Sequence, residues 1–393
     1  MKNRHILYWF LCSILTVLFS ACSSSGADEG VTHQQAQLAI YVYAPEQASA
    51  KRNAAPTRGD VGEVDPIDNT INEGTIKSLQ LWVYEYETGN NVGYFSTDDV
   101  AALNNGVGTT YQIPVSDVFA SKNPKPTVNV YVMANVTSAN CGVGTLNKET
   151  TRTALLEGAK IANGKFGLEQ KTRTVPTDGL PFAGMLTGQA VVGDAPTLRV
   201  GTLSAVSTVQ LTRAVSKLRF VFAKTTGEPK VSITSIKMND YMIPEVEYFF
   251  KTPESMTYNT EAKELLPTAI DDIAETADPT LFIYTNQTAQ EYENLIDAAA
   301  NKQDPEKPEV TVYGPIYLRE SDKQLTGTIT YTIGEGTPEP QTVDFAMQQA
   351  GDFSRNHTWI VYAYYAGSGN LQVQSLFVKD WSTKEFNHDF YNW

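Results

Sequence analysis

"QAQLAIYVYAP", residues 35–45, decides how the rest of the chain is to be read. Leu38, Ile40, Val42 and Ala44 recur at every second position, with Ala39, Tyr41 and Tyr43 between them. A period of two belongs to a β-strand, whose successive side chains point to opposite faces; a helix needs apolar residues three and four apart. The same signal returns in "TIKSLQLWVYEY" (75–86), "TVNVYVMANV" (127–136), "KLRFVFAK" (217–224), "KVSITSIKM" (230–238), "PTLFIYTN" (279–286), "TGTITYTIG" (326–334), "TWIVYAYYAG" (358–367) and "LQVQSLFVKDW" (371–381). Val128, Val130 and Val132 share one face, as do Leu218, Phe220 and Phe222. Only "RTALLEGAKIAN" (152–163) and "TAQEYENLIDAAANK" (288–302) read as helices. The 19 Pro and 27 Gly supply the turns that many short strands need. The expected fold is all-β, built as sandwiches. A chain of 393 residues is long enough for two domains. A composition shift at "VVGDAPTLRVGTL" places the expected boundary so that 59–205 and 206–393 form separate β-sandwich domains.

The first 22 residues read as an export signal. Lys2 and Arg4 precede the apolar "ILYWFLCSILTVLF", which is short for a membrane span, and "LFSAC" then places small residues before Cys22. This is the pattern of a lipoprotein signal, 1–21, with Cys22 as the lipid attachment site. The alternative is an ordinary signal peptide with a chance cysteine. "SSSGADEG" follows as a flexible tether. Several acyl chains, at roughly 0.8 kcal/mol per buried methylene, hold a protein durably at a membrane. The expected state is therefore a folded body held at a membrane surface through lipid.

Composition narrows the chemistry. A net charge of −14 argues against nucleic acid as a partner. Of three cysteines, Cys12 leaves with the signal and Cys22 carries lipid, so Cys141 remains without a disulfide partner and reads as a small buried hydrophobe. The four histidines are scattered, and no HExxH, CxxC, P-loop, GxGxxG or G-x-S-x-G spacing occurs. "DPIDNTINEG" (65–74) lacks the ligand order of a calcium loop and reads as a turn-rich lead-in. No pair stands out among the 44 carboxylates as a glycosidase couple. Trp82, Trp359 and Trp381 suit sugar stacking in principle, but at strand spacing they read as core. No catalytic residues, metal or cofactor are expected, and the chain reads as a non-enzyme.

Several segments in order carry a family resemblance. After the lipoprotein signal, the early apolar strand and an Arg-containing linker come "VNVYVMANV", "LPFAGMLTGQ" (180–189), "VQLTRAVSKLRFVFAK" (209–224), "SRNHTWIVYAYY" (354–365) and "VKDWSTKEFNHDFYNW" (378–393). Together they resemble the fimbrillin family, the lipoprotein-derived subunits of type V pili. "TRAVSKLRF" and "RNHTW" are the most telling pieces, and the resemblance runs over nearly the whole chain. It implies two transthyretin-like β-sandwich domains in tandem. It also implies outer-membrane export, cleavage after an Arg by an extracellular arginine-specific protease, and polymerisation by strand exchange.

That life cycle gives roles to three regions. The strand 35–45, through Leu38, Ile40 and Val42, reads as a temporary plug of the first sandwich. "EQASAKRNAAPTRGDVG" (46–62) reads as an exposed linker, with Arg58–Gly59 as the processing bond, Arg52 as a second site, and an uncut linker as the alternative. The Arg58-Gly59-Asp60 tripeptide fits integrin binding poorly, because the cut would destroy it. The tail, with Phe386, Phe390, Tyr391 and Trp393, is unusually apolar for a chain end and reads as a donor strand or as packing on its own domain. A donor tail adds to an open sheet edge of the next subunit. The expected partners are other copies of this chain or related subunits, head to tail. The function expected from this is a structural pilus subunit that supports adhesion. The alternative is a fimbrial tip or accessory adhesin, or a membrane anchor, that binds a glycan or a protein.

Overall fold

The computed structural model describes residues 35–44, 73–106, 108–240, 242–285, 289–300, 308–347 and 353–378. In chain order the strands of the first half are β1 (Gln37–Tyr43), β2 (Leu79–Glu85), β3 (Asn91–Thr97), β4 (Thr109–Pro114), β5 (Val128–Ala134), β6 (Lys160–Ile161), β7 (Phe182–Gln189), β8 (Val191–Asp194), β9 (Thr197–Val200), β10 (Thr208–Gln210) and β11 (Thr212–Arg213). Those of the second half are β12 (Ser216–Thr225), β13 (Val231–Asp240), β14 (Glu247–Tyr248), β15 (Lys263–Glu264), β16 (Glu275–Thr276), β17 (Thr311–Leu318), β18 (Thr326–Ile333), β19 (Gln341–Ala346), β20 (Thr358–Tyr365) and β21 (Gln372–Val378). Helices are few and short, so the chain is all-β as the alternation predicts.

Two sheets form the first pair. One runs β10-β1-β9-β8 with β4 on the other side of β1; the second runs β11-β7-β5-β2-β3. Their facing side chains make one core, with Leu38, Ile40 and Val42 from β1 meeting Leu79, Leu81 and Val83 from β2 and Val128, Val130 and Val132 from β5. The stretch 190–205 forms β8 and β9 of this pair, and β10 and β11 beyond it still belong to it. Two more sheets form the second pair: β16-β12-β20-β21 with β17 on β12, and β15-β13-β18-β19. Leu218, Phe220 and Phe222 fill its core with Ile233, Ile329, Trp359 and Val361.

A third apolar layer joins the halves. Trp82, Tyr84 and Tyr131 on the outer face of β2 and β5 pack with Phe249, Phe250 and Tyr317 of the second half. β6 pairs with β14, and the Tyr317 and Arg319 amides donate to the Thr172 and Phe166 carbonyls at 2.9 and 2.8 Å. This layer explains why β2 and β5 carry apolar residues on both faces.

Two sequence expectations change. "PTLFIYTN" does not form a strand. Pro279–Phe282 is a 3₁₀ turn, because Asp278 Oδ1 caps it by accepting from the Thr280 amide at 2.8 Å and Pro279 sits in its first turn. Its apolar residue Phe282 packs instead on the outer face of β20, 6.3 Å from the Tyr362 ring. The helix expected over 152–163 ends at Gly158, and Lys160–Ile161 continues as β6. The second helix spans Ala289–Ala300.

Candidate functional site: an inserted strand and its groove

β1 lies inside its sheet with partners along both edges. It runs antiparallel to β4 from Gln37 opposite Pro114 to Val42 opposite Thr109. On the other edge it runs parallel to two separate strands: residues 37–39 face 197–199 of β9, and 41–43 face 208–210 of β10. Between these partners the chain turns away at Gly201, whose φ of +133° favours glycine, and returns by Ser207. The ends of β1 are pinned: the Gln37 amide donates to the Pro196 carbonyl at 2.8 Å, Val115 N–H to Ala36 C=O at 2.9 Å, and Leu211 N–H to Tyr43 C=O at 2.8 Å.

The sequence alternation becomes two unlike faces. Ala36, Leu38, Ile40, Val42 and Ala44 are buried, the middle three completely. Burying residues of this size stabilises by about 1.5–3 kcal/mol each. Gln37, Ala39, Tyr41 and Tyr43 are half-buried. Tyr41 lies over Gly108, where a Cβ would meet its hydroxyl at 2.1 Å. Gly184 of β7 does the same across the sandwich corner, since a Cβ there would meet the Gln210 carbonyl of β10 at 2.2 Å.

Chemically this arrangement holds a strand by a core stripe and by backbone hydrogen bonds on both edges. Without β1, β4 on one side and β9 and β10 on the other would present unpaired N–H and C=O groups beside an apolar trough. Such an edge is a template for another strand. Cys22, Arg52, Arg58 and Gly59 lie outside the described residues, as do Trp381 and the tail residues Phe386, Phe390, Tyr391 and Trp393.

Other residues singled out in the sequence have structural places. Trp82 and Trp359 are buried, the former donating from Nε1 to the Asn147 carbonyl at 2.9 Å. Cys141 is buried, and burial pushes its thiol well up. His357 Nδ1 lies 3.2 Å from the Ser354 carbonyl oxygen. Among the described residues no group of three or more His, Cys, Asp and Glu gathers in a way that would hold a metal.

The sequence reading missed a set of buried charges between the halves. Lys217 Nζ lies 3.1 Å from Glu73 Oε2, and Tyr317 donates to Glu73 Oε1 at 2.5 Å. Arg213 Nε donates to the Glu73 carbonyl at 3.3 Å, and its Nη1 to Asn356 Oδ1 at 3.4 Å. Nearby, Arg355 Nε donates to Glu320 Oε1 at 2.9 Å, with Glu247 Oε1 3.3 Å from its Nη2. Burial pushes the Glu247 carboxyl up to about 8, against the pull of Arg355 and with Glu320 adding to the rise. Part of the signal was visible: "TRAVSKLRF" places Arg213, Lys217 and Arg219 inside an apolar strand pattern, which marks buried and partnered cations, whereas Arg355 sits among polar residues in the turn before β20.

No family model and no curated protein matches the chain. Solved structures do. A protein of Parabacteroides distasonis described as a candidate cell adhesion protein is 14% identical with a TM-score of 0.46, over 90% of this chain and 99% of its own. A candidate cell adhesion protein of Bacteroides eggerthii is 12% identical with a TM-score of 0.44, over 88% and 97%. The tip fimbrial protein Mfa3 of Porphyromonas gingivalis, truncated at its C-terminus, is 12% identical with a TM-score of 0.44, over 88% and 100%. A likeness of this size does not carry a function from those proteins to this one.

Proposed function

We propose that this chain is a structural subunit of a bacterial surface pilus, in which β1 is a temporary strand that another subunit's strand replaces. The observation that carries this reading is the place of β1. It is the most N-terminal strand described, it lies between β4 and the β9–β10 edge, and residues 45–72 separate it from the rest of the first sandwich. Those intervening residues contain Arg52 and Arg58.

Covalent linkage sets the energetics. While residues 45–72 stay covalently joined, β1 rebinds its groove as an intramolecular partner at a raised effective concentration. A cut after Arg58 makes that rebinding bimolecular, so a competing strand from a neighbour can take the groove. A strand given by one copy to the next is a head-to-tail contact that does not close on itself, and it grows a filament. In this scheme Cys22 carries lipid that holds the precursor at the outer membrane. An arginine-specific protease frees Gly59, and the apolar tail with Phe386, Phe390 and Trp393 is the donor. The two sheet pairs are then two tandem domains, one receiving a strand and one giving it.

Genetic replacement tests the scheme. Arg58→Ala leaves lipid-held precursor and no fibres, and deletion of 382–393 stops fibre growth while the subunit still folds. Normal fibres from both variants would overturn it.

A further inference from the structure

β4 is an outer strand of its sheet and, among the described residues, pairs there with β1. Tyr41 of β1 stands opposite Thr110, and Gly108 lies two residues before Thr110, so the two share a face. A diagonal neighbour of this kind is within reach of an aromatic ring. The Tyr41 ring uses that reach. A Cβ at position 108 would lie 2.1 Å from the Tyr41 hydroxyl oxygen, 2.2 Å from its Cζ and 2.7 Å from one Cε. The end of the ring therefore fills the space where any side chain at 108 would begin. An aromatic laid across the sheet on an edge glycine covers bare backbone and pins the register of the pair.

The inner face of the groove has a shape of its own. Leu38, Ile40 and Val42 fill the trough, and Ala36 and Ala44, both buried, close its ends. A slip of one residue would turn Tyr41 inward. A slip of two keeps the faces but takes Tyr41 off Gly108, and it brings Leu38 or Val42 into a space that holds an alanine. The trough alone discriminates weakly among apolar strands, because hydrophobic burial is non-directional. The contact on the outer face is the shape-specific one.

We propose that Gly108 is the specificity-determining residue of the β1 groove: its bare backbone is a slot that selects strands with an aromatic residue directly after the apolar residue at the centre of the trough. This rests on the reading of β1 as a replaceable strand. The partner it names is an extended segment of another subunit that carries such a pair, as Ile40-Tyr41 does in β1. Within 379–393 an aromatic directly follows an apolar residue once, at Phe390-Tyr391. That pair sets the register of the tail in a neighbour's groove, with Phe390 in the place of Ile40 and Tyr391 on Gly108.

The test is peptide exchange into the full chain after limited cutting with an arginine-specific protease. Fluorescein-labelled peptide 35–45 replaces the cut β1, and unlabelled peptides compete with it. Tyr41→Ser is expected to weaken the competitor roughly tenfold, and Tyr41→Phe by less than about threefold, because the ring and not the hydroxyl fills the slot. In Gly108→Ala the preference inverts, and the Tyr41→Ser peptide becomes the stronger competitor. A glycine with a merely structural role would weaken all peptides alike. Peptide 382–393 is expected to lose about as much with Tyr391→Ser as peptide 35–45 loses with Tyr41→Ser. In the uncut chain, the denaturation midpoint of the Tyr41→Ser, Gly108→Ala double variant falls by less than the sum of the single variants. Equal competition by the native and Tyr41→Ser peptides, an unchanged preference in Gly108→Ala, or additive midpoint shifts would overturn the proposal. So would a tail peptide that enters and ignores Tyr391→Ser. Entry of peptide 35–45 but not of 382–393 would remove the tail as donor, with the selection by Gly108 still supported. Entry of no peptide would overturn strand replacement, and with it any selection at Gly108.

Discussion

β1 and β12 each lie inside a five-stranded sheet: β1 has antiparallel β4 on one edge and parallel β9 and β10 on the other, and β12 has parallel β20 along one edge and antiparallel β17 followed by parallel β16 along the other. Their surroundings differ. β12 is buried along nearly its whole length, because its second face is also covered. Val221 and Ala223 pack beneath the 3₁₀ turn and the helix Ala289–Ala300, and Arg219 reaches Asp297 of that helix at 3.1 Å. It follows β11 after only Ala214 and Val215. β1 has one buried face and one half-buried face, and many residues separate it from β2. Its parallel partner is split into β9 and β10, whereas β20 pairs with β12 without a break from 217 to 224. One central strand is fixed on four sides and the other on three. A fold that must release a strand would place it in the second setting.

The largest expected effect lies on the β12 side. Arg355→Ala leaves Glu320 and Glu247 buried without their cation, and a denaturant titration is expected to show a loss of about 3–5 kcal/mol. On the β1 side, Ile40→Ala removes a fully buried side chain from the core and is expected to cost about 2–5 kcal/mol. If the halves unfold separately, the first variant lowers one transition and the second lowers the other. A single shared transition would show that the layer between the halves couples them.

Gly184→Ala is a finer probe of the groove. Its Cβ would meet the Gln210 carbonyl, so β10 must move away from β7, at an expected cost of about 1–3 kcal/mol. The smallest effect is a change of slope. Glu247 has a folded-state value near 8 against a usual 4.5, so the folded state holds the extra proton. The stability it contributes is complete below pH 4.5 and is lost as pH rises through 8. Glu247→Gln is expected to flatten the fall of melting temperature with pH across that window.

Much of the fold was legible because alternation survives wherever one sheet face meets a core. Leu38-Ile40-Val42, Val128-Val130-Val132 and Leu218-Phe220-Phe222 all face inward as their spacing indicates. Alternation says nothing about what covers the other face. The layer joining Trp82 and Tyr131 to Phe250 is made by residues far apart in sequence, and no local pattern predicts it. "PTLFIYTN" misled for a related reason: Phe282, Ile283 and Tyr284 cover the back of a sheet rather than forming one, and Asp278-Pro279 was the local cue to a turn. The charged cluster around Glu247 was less legible. Arg355 lies among polar residues in the turn before β20, and its two carboxylates come from β14 and from just past the end of β17.

The most direct test of a replaceable β1 is limited digestion of the full chain with an arginine-specific protease, followed by N-terminal sequencing and size-exclusion. The expected result is one cut that leaves Gly59 at the new N-terminus, then a ladder of oligomers from which the fragment carrying Leu38, Ile40 and Val42 is lost. A chain that is cut there, keeps that fragment and stays monomeric would contradict it.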